Sequence, residues 1–141
     1  MFKRLDHVSI GVFDIGAAQK LFCDQLGGKL LKDAGNSNDE AFSWITFLLG
    51  GKKIELVTPH QTGEGGVGRY LEKNGEGFHH LSFSVEDLEA AKAFCDSNQL
   101  RVLGYSPEAS SFRHFYLHPK DTFGALIQVF EETGNTLDLA E

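Results

Sequence analysis

Cysteine is scarce. Cys23 and Cys95 are the only two in 141 residues, and their spacing fits neither a disulfide framework nor a thiolate zinc site. Each falls in a helical pattern, where a free cysteine serves as a small buried residue. Long apolar runs are missing too. None approaches the ~18 residues a membrane helix needs. The opening Met1-Phe2-Lys3-Arg4-Leu5-Asp6-His7 carries a basic pair but no apolar stretch of signal-peptide length behind it. The cytoplasm is the expected compartment, with no membrane partner. Basic charge is in deficit, with 13 Lys and Arg against 20 Asp and Glu, a formal net charge of −7. That argues against nucleic acid or an anionic surface as the main partner, since neither is drawn to a negative field. A local basic patch could still hold a phosphate. What the chain does have is core-forming material: 41% hydrophobic residues, including 12 Phe. At this length a fold buries about two-thirds of the surface its unfolded chain exposes, so folding needs no disulfide or structural metal.

An internal repeat organises the sequence. Leu5 to Cys23 reads LDHVSIGVFDIGAAQKLFC, and Phe78 to Asp96 reads FHHLSFSVEDLEAAKAFCD. An offset of 73 residues, the interval from His7 to His80, makes six positions identical. They are His7 and His80, Ser9 and Ser82, Val12 and Val85, Asp14 and Asp87, Ala17 and Ala90, Ala18 and Ala91. The same offset carries Ile54-Glu55-Leu56 onto Ile127-Gln128-Val129. Two copies of one module are therefore expected, at 4–58 and 77–131, with a linker over 59–76, all within one domain spanning 1–141.

Each copy parses alike. Residues 6–12 alternate and are β-rich, so they form a strand. Asp14 caps a helix whose apolar residues are Ile15, Ala18, Leu21, Phe22 and Leu26, and Gly27-Gly28 ends it. Strands follow near 29–34, 41–49 and 52–58, with Gly50-Gly51 as hairpin punctuation. In the second copy Asp87 caps a helix through Ala90, Ala91, Phe94 and Cys95. Strands near 101–106, 112–117 and 124–130 come after it. The unit is βαβββ. Two units predict an α+β fold of eight strands, which form a cup if their sheets curl toward each other. The tail after Glu132 is expected to fray.

Strand alternation separates two faces. Val8, Ile10 and Val12 belong under the helix, and His7, Ser9 and Gly11 on the opposite face. Leu81, Phe83 and Val85 oppose His80, Ser82 and Ser84 in the same way. In the last strands Ile54 and Leu56 face the helix, so Glu55 faces with His7, and by the same parity Gln128 faces with His80. If the two sheets curl together about a pseudo-twofold axis, His7, Glu55, His80 and Gln128 converge. Two imidazoles, a carboxylate and an amide oxygen suit a divalent Mn, Fe, Co, Ni or Zn ion. In an octahedral shell they leave two positions for a substrate with vicinal oxygens. His79 breaks the parity, and its match is Asp6, so it is expected in the core or behind the ligands.

These segments resemble the vicinal oxygen chelate superfamily, which includes glyoxalase I, methylmalonyl-CoA epimerase, fosfomycin-resistance proteins and extradiol dioxygenases. LDHVSIGV, IELVTP at 54–59, LEKNGEGFHHLSFSVEDLEAA at 71–91 and LHPKDTFGALIQVFE at 117–131 are most similar to the epimerases. The resemblance implies paired βαβββ modules around a metal, with His7, Glu55, His80 and Gln128 at the ligand positions. It implies a metal-dependent epimerase, or a lyase of the glyoxalase type, that abstracts a proton next to a carbonyl. Glu55 is then the base, loosening from the metal as family glutamates can. Two departures stand out. Gln and Glu are exchanged between the two last strands relative to epimerases. The third strand's Ala41-Phe42-Ser43-Trp44-Ile45 also lacks the carboxylate that epimerases carry there. A binding protein of the same family without turnover is the alternative. Oxygen chemistry or thiol transfer is a third reading, against which Gln128 counts. The expected assembly is a homodimer.

Other motifs weigh less. Gly63-Glu64-Gly65-Gly66-Val67-Gly68 fits GxGxxG, but no βαβ crossover surrounds it, so it reads as a connector before a short helical stretch, 67–73. Lys52, Lys53, Arg113 and Lys120 could hold a carboxylate or phosphate. His114 and His118 flank the seventh strand and are acid–base candidates.

Overall fold

The computed structural model describes residues 1–108 and 112–132. The tail expected to fray lies outside them. The second copy has the βαβββ order the repeat predicts, and the first has it with one extra short strand. The chain divides into two compact units: Val8–His79, and Met1–His7 together with the described residues from His80 onward. Strand β1 (Arg4–Gly11) contributes its first half to the second of these and its second half to the first.

In the Val8–His79 unit the strand order is β2 (Lys29–Leu30), β4 (Phe42–Leu49), β5 (Lys52–Pro59), β1, with β3 (Gly35–Ser37) also on β4. β1 and β5 run parallel, with Val8 beside Ile54 and Ser9 beside Glu55. Of the strand expected over 29–34 only Lys29–Leu30 pairs, and the unexpected β3 beyond it makes nine strands rather than eight among the described residues. Between them Asp33 leaves the ladder. Its carbonyl accepts from Thr46 Oγ1 (2.7 Å), and its carboxylate accepts from Trp44 Nε1 and Lys53 Nζ (both 3.0 Å). Side-chain bonds to a strand residue's backbone compete with strand pairing.

Helix α1 (Ile15–Gln19) starts where Asp14 accepts from Ala17 N (3.0 Å), then widens into a π-helical stretch over Lys20–Gln25. Leu26 N reaches back to Leu21 O at 2.9 Å, five residues earlier. The wider turn rotates the apolar stripe away from its 3.6-residue register. Ile15, Ala18, Phe22 and Cys23 pack on Val12, Phe47 and Leu56. Leu21 and Leu26, expected on that face, are instead exposed (43% and 54%).

The linker is more ordered than a connector. Helix α2 (Gly65–Asn74) lays Val67 and Leu71 against Val57, Phe42 and Trp44, covering part of the Ser9–Glu55 face. The glycines of the GxGxxG string serve this packing. A Cβ on Gly65 would lie 2.3 Å from the Glu40 carbonyl oxygen, and its φ of +69° is in the left-handed region. On the strand beneath, a Cβ on Gly11 would meet Leu71 Cδ2 at 2.6 Å.

β6 (Gly77–Val85) enters the other unit at His80, and its Leu81–Val85 stretch runs parallel to β9 (Ile127–Glu131), followed by β8 (His114–Leu117) and β7 (Val102–Ser106). Helix α3 (Leu88–Ser97) covers one face. Leu88, Ala91 and Cys95 pack with Val85, Phe115, Leu117 and Val129. Phe94, one step off that row, is exposed. Burial pushes the Cys95 thiol up in pKa, which suits an inert core cysteine. Asp87 accepts from Ala90 N (3.0 Å), just as Asp14 caps α1. Asp87→Ala should cost about 1 kcal/mol by chemical denaturation, the usual value of an N-cap.

Candidate metal and proton-transfer site

The first half of β1 lies beside the second half of β6. Lys3 N donates to Ser84 O at 2.8 Å, and Phe2 stacks on Phe83 with ring centroids 4.6 Å apart. Four residues inward from that bond along each strand stand His7 and His80. Their rings meet edge to face, centroids 5.6 Å apart, and their ligand nitrogens lie within 4.8 Å of each other. Both imidazoles are buried, at 7% and 4% exposure. His7 Nδ1 faces Asp6 Oδ2 at 2.7 Å.

Gln128 belongs to the same unit. Its strand register sets it beside Ser82, two residues beyond His80 on the same face of β6. Ser82 Oγ donates to Gln128 Oε1 (2.8 Å), and Gln128 Nε2 donates to the Tyr116 hydroxyl (3.0 Å). The Tyr116 ring stands edge-on to His80, centroids 6.3 Å apart. The amide is thus held at both ends. In the other unit Ser9 Oγ donates to Glu55 Oε1, again at 2.8 Å, with Ser9 and Glu55 in register. Ser9 follows His7 by two residues, on the same face of β1. The repeat therefore reproduces more than the four acceptors. It reproduces the serine that orients the last-strand acceptor in each copy. Those serines were among the six identities, on the polar face, and that coincidence was the signal for their role. Ser82→Ala should leave the Gln128 oxygen without this donor and cost about 1 kcal/mol in a denaturation experiment.

The remaining residues sort by their contacts. His79 is buried and packs edge-on against Tyr70, centroids 4.6 Å apart. Burial holds its imidazole below the ordinary histidine range, with the Glu55 charge acting in the opposite direction. That is a neutral packing histidine, as its broken parity suggested. His114 shares the face of Tyr116 and Gln128, with its Nδ1 on its own neighbour's Phe112 carbonyl (2.9 Å). His118 caps the 3₁₀ turn Pro119–Asp121 by accepting from Lys120 N (3.1 Å). Arg113 is held by Glu131 (2.7 Å), the Pro107 carbonyl (2.8 Å) and Glu89, so it serves the fold rather than a ligand. Lys53 pairs with Asp33, while Lys52 and Lys120 are exposed. On β4 no carboxylate occurs, and Thr46, fully buried, stands opposite Glu55. Tyr116 was missed as a contact of Gln128. Strand alternation puts Tyr116 on one face with Phe112 and His114, and the register opposite Gln128 shows which face that is.

The chain is similar to known proteins along most of its length. Residues 6–116 match the family model of the glyoxalase/bleomycin resistance protein/dioxygenase superfamily. The ethylmalonyl-CoA/methylmalonyl-CoA epimerase of Cereibacter sphaeroides is 37% identical over 138 residues, which is 92% of this chain and 98% of that protein. The crystal structure of methylmalonyl-CoA epimerase from Mycobacterium tuberculosis superposes with a TM-score of 0.81 at 26% identity, covering 94% of this chain and 90% of that one. A Streptomyces coelicolor methylmalonyl-CoA epimerase variant in complex with 2-nitronate-propionyl-CoA gives 0.83 at 26% identity, covering 95% and 100%.

Proposed function

The chain belongs to the glyoxalase/bleomycin resistance protein/dioxygenase superfamily, and on that footing we propose that it is a divalent-metal-dependent epimerase of malonyl-type acyl-CoA thioesters. The observation that carries this reading is the buried His7–His80 pair, flanked in the repeat by two serine-held acceptors. His7, His80, Glu55 and the Gln128 amide oxygen would hold the ion. The donor set fits a borderline divalent cation, with nitrogen and oxygen ligands and no thiolate. Once bound, such an ion supplies Lewis-acid polarisation of the substrate's carbonyl oxygens, which acidifies the hydrogen between them.

The chain's own residues then handle the proton. Glu55 is the one carboxylate of the four, so it takes the α-proton from one face of the carbon, and inversion follows when a solvent proton reaches the opposite face of the planar enolate. Ser9, donating to one Glu55 oxygen, fixes the direction from which the other approaches. Gln128 cannot accept a proton at useful pH. Its part is to bind and orient, held by Ser82 and Tyr116. The 37% identity to an ethylmalonyl-CoA/methylmalonyl-CoA epimerase along nearly the whole of both chains supports the thioester substrate over a glutathione adduct.

The test is metal analysis of purified protein, followed by assays on methylmalonyl-CoA, ethylmalonyl-CoA and the methylglyoxal–glutathione hemithioacetal. Inversion of either thioester is the expected result. Turnover of the hemithioacetal alone would make the protein a lyase. Tight binding without turnover of any of the three would make it a binding protein, a reading favoured by Gln128 and the carboxylate-free β4.

A further inference from the structure

His7 is held by a carboxylate that the repeat does not copy. Its Nδ1 lies 2.7 Å from Asp6 Oδ2, and both side chains are buried (7% and 8% exposed). The other Asp6 oxygen is taken by Arg4 Nη1 at 2.5 Å. Arg4 in turn clamps Glu132 Oε1 through Nε (2.7 Å) and Nη2 (2.6 Å), and Lys3 holds the second Glu132 oxygen (2.9 Å). The backbone N–H of Glu132 is anchored on Val85 O (2.9 Å). Two cations and two carboxylates thus form a chain that ends on one imidazole nitrogen. The repeat offset carries Asp6 onto His79 and Arg4 onto Gly77, so the second module has no copy of this arrangement.

We infer that the Arg4–Asp6 pair is a positioning device that locks His7 in the Nδ1–H tautomer before any ion binds. A carboxylate held by an arginine is an acceptor only, so the proton between Asp6 and His7 resides on Nδ1. The lone pair then sits on Nε2. A ring nitrogen is made a ligand by the hydrogen bond its partner nitrogen makes. Arg4 fixes the plane of the Asp6 carboxylate, and with it the ring direction. An outer carboxylate of this kind typically affects metal affinity by about 10–100-fold. The consequence for metal rests on the proposed site. The tautomer does not, and that separates the two readings experimentally.

The experiment uses full-length, metal-stripped, ¹⁵N-labelled protein. Two-bond ¹H–¹⁵N correlation spectra read which ring nitrogen of His7 carries hydrogen, and calorimetric titration with Co²⁺ or Mn²⁺ reads affinity. Wild type should show His7 protonated at Nδ1 and bare at Nε2. Asp6→Ala should move the proton toward Nε2 and weaken metal binding by about 10–100-fold. Asp6→Asn, whose Oδ1 still accepts, should keep the tautomer and most of the affinity. Arg4→Met should loosen both. A purely structural ion pair would change the melting temperature in these variants and leave the tautomer alone. His7 protonated at Nε2 in wild type would overturn the inference without needing any variant. Unchanged tautomer and affinity in Asp6→Ala would also overturn it. Wild-type protein with the Nδ1 tautomer but no affinity for either ion would uphold the lock and overturn the metal site.

Discussion

Glu55→Gln should keep its metal and lose turnover by about 10²–10⁴-fold, the usual worth of one positioned acid–base group. The substitution preserves shape and one acceptor oxygen, so Ser9 can still donate to it at the place it now occupies. What disappears is the capacity to carry a proton. On β4 no second carboxylate shares the work, since buried Thr46 stands opposite Glu55. Metal content must be measured beside the rate, so that a lost ion is not read as a lost base. Full turnover by a metal-loaded Glu55→Gln protein would eliminate Glu55 as the base and make His114, on the Gln128 face, the next residue to test.

The second large effect is on binding. His80→Ala should weaken divalent-ion affinity by more than about 100-fold, beyond what the loss of an outer-shell partner costs. The neighbouring His79→Ala should leave affinity near wild type and lower stability by roughly 0.5–3 kcal/mol, the common range for a lost packing contact. The contrast follows from their surroundings. His80 shares its place with His7 and Tyr116, whereas His79 packs on Tyr70. Equilibrium titration of metal-free variants, together with denaturant melts, reads both. If His79→Ala loses the ion and His80→Ala keeps it, the strand parity has been assigned to the wrong residue.

Much of this was legible in the sequence because a repeat carries its own register. Matching His7 with His80 and Glu55 with Gln128 set the faces of four strands. The structure has the parallel pairings β1–β5 and β6–β9 in which those residues sit two places apart from their strand partners. Features that depend on a few particular bonds were not legible. No periodicity rule foretells that α1 widens after Gln19, so Leu21 and Leu26 were assigned to a core they do not enter. The break at Asp33 arises from three side-chain bonds between distant residues. The packing of α2 hangs on glycines that a motif search reads as a phosphate loop. At the site, the serine donors were visible as identities but had no role until their hydroxyls were seen on Glu55 and Gln128. The Arg4–Asp6–His7 chain was hidden altogether, because it is the part of the first module that the second does not repeat.

On the proposed function a divalent ion and Glu55 together remove the proton next to a thioester carbonyl. Deuterium incorporation at the α-carbon of methylmalonyl-CoA in D₂O, followed by NMR against a protein-free control, tests it most directly. The wild-type protein loaded with Co²⁺ or Mn²⁺ should incorporate deuterium well above the control rate. Chelation should abolish the excess, and restoring the ion should recover it. Stoichiometric metal and thioester binding with incorporation no faster than the control would contradict the account.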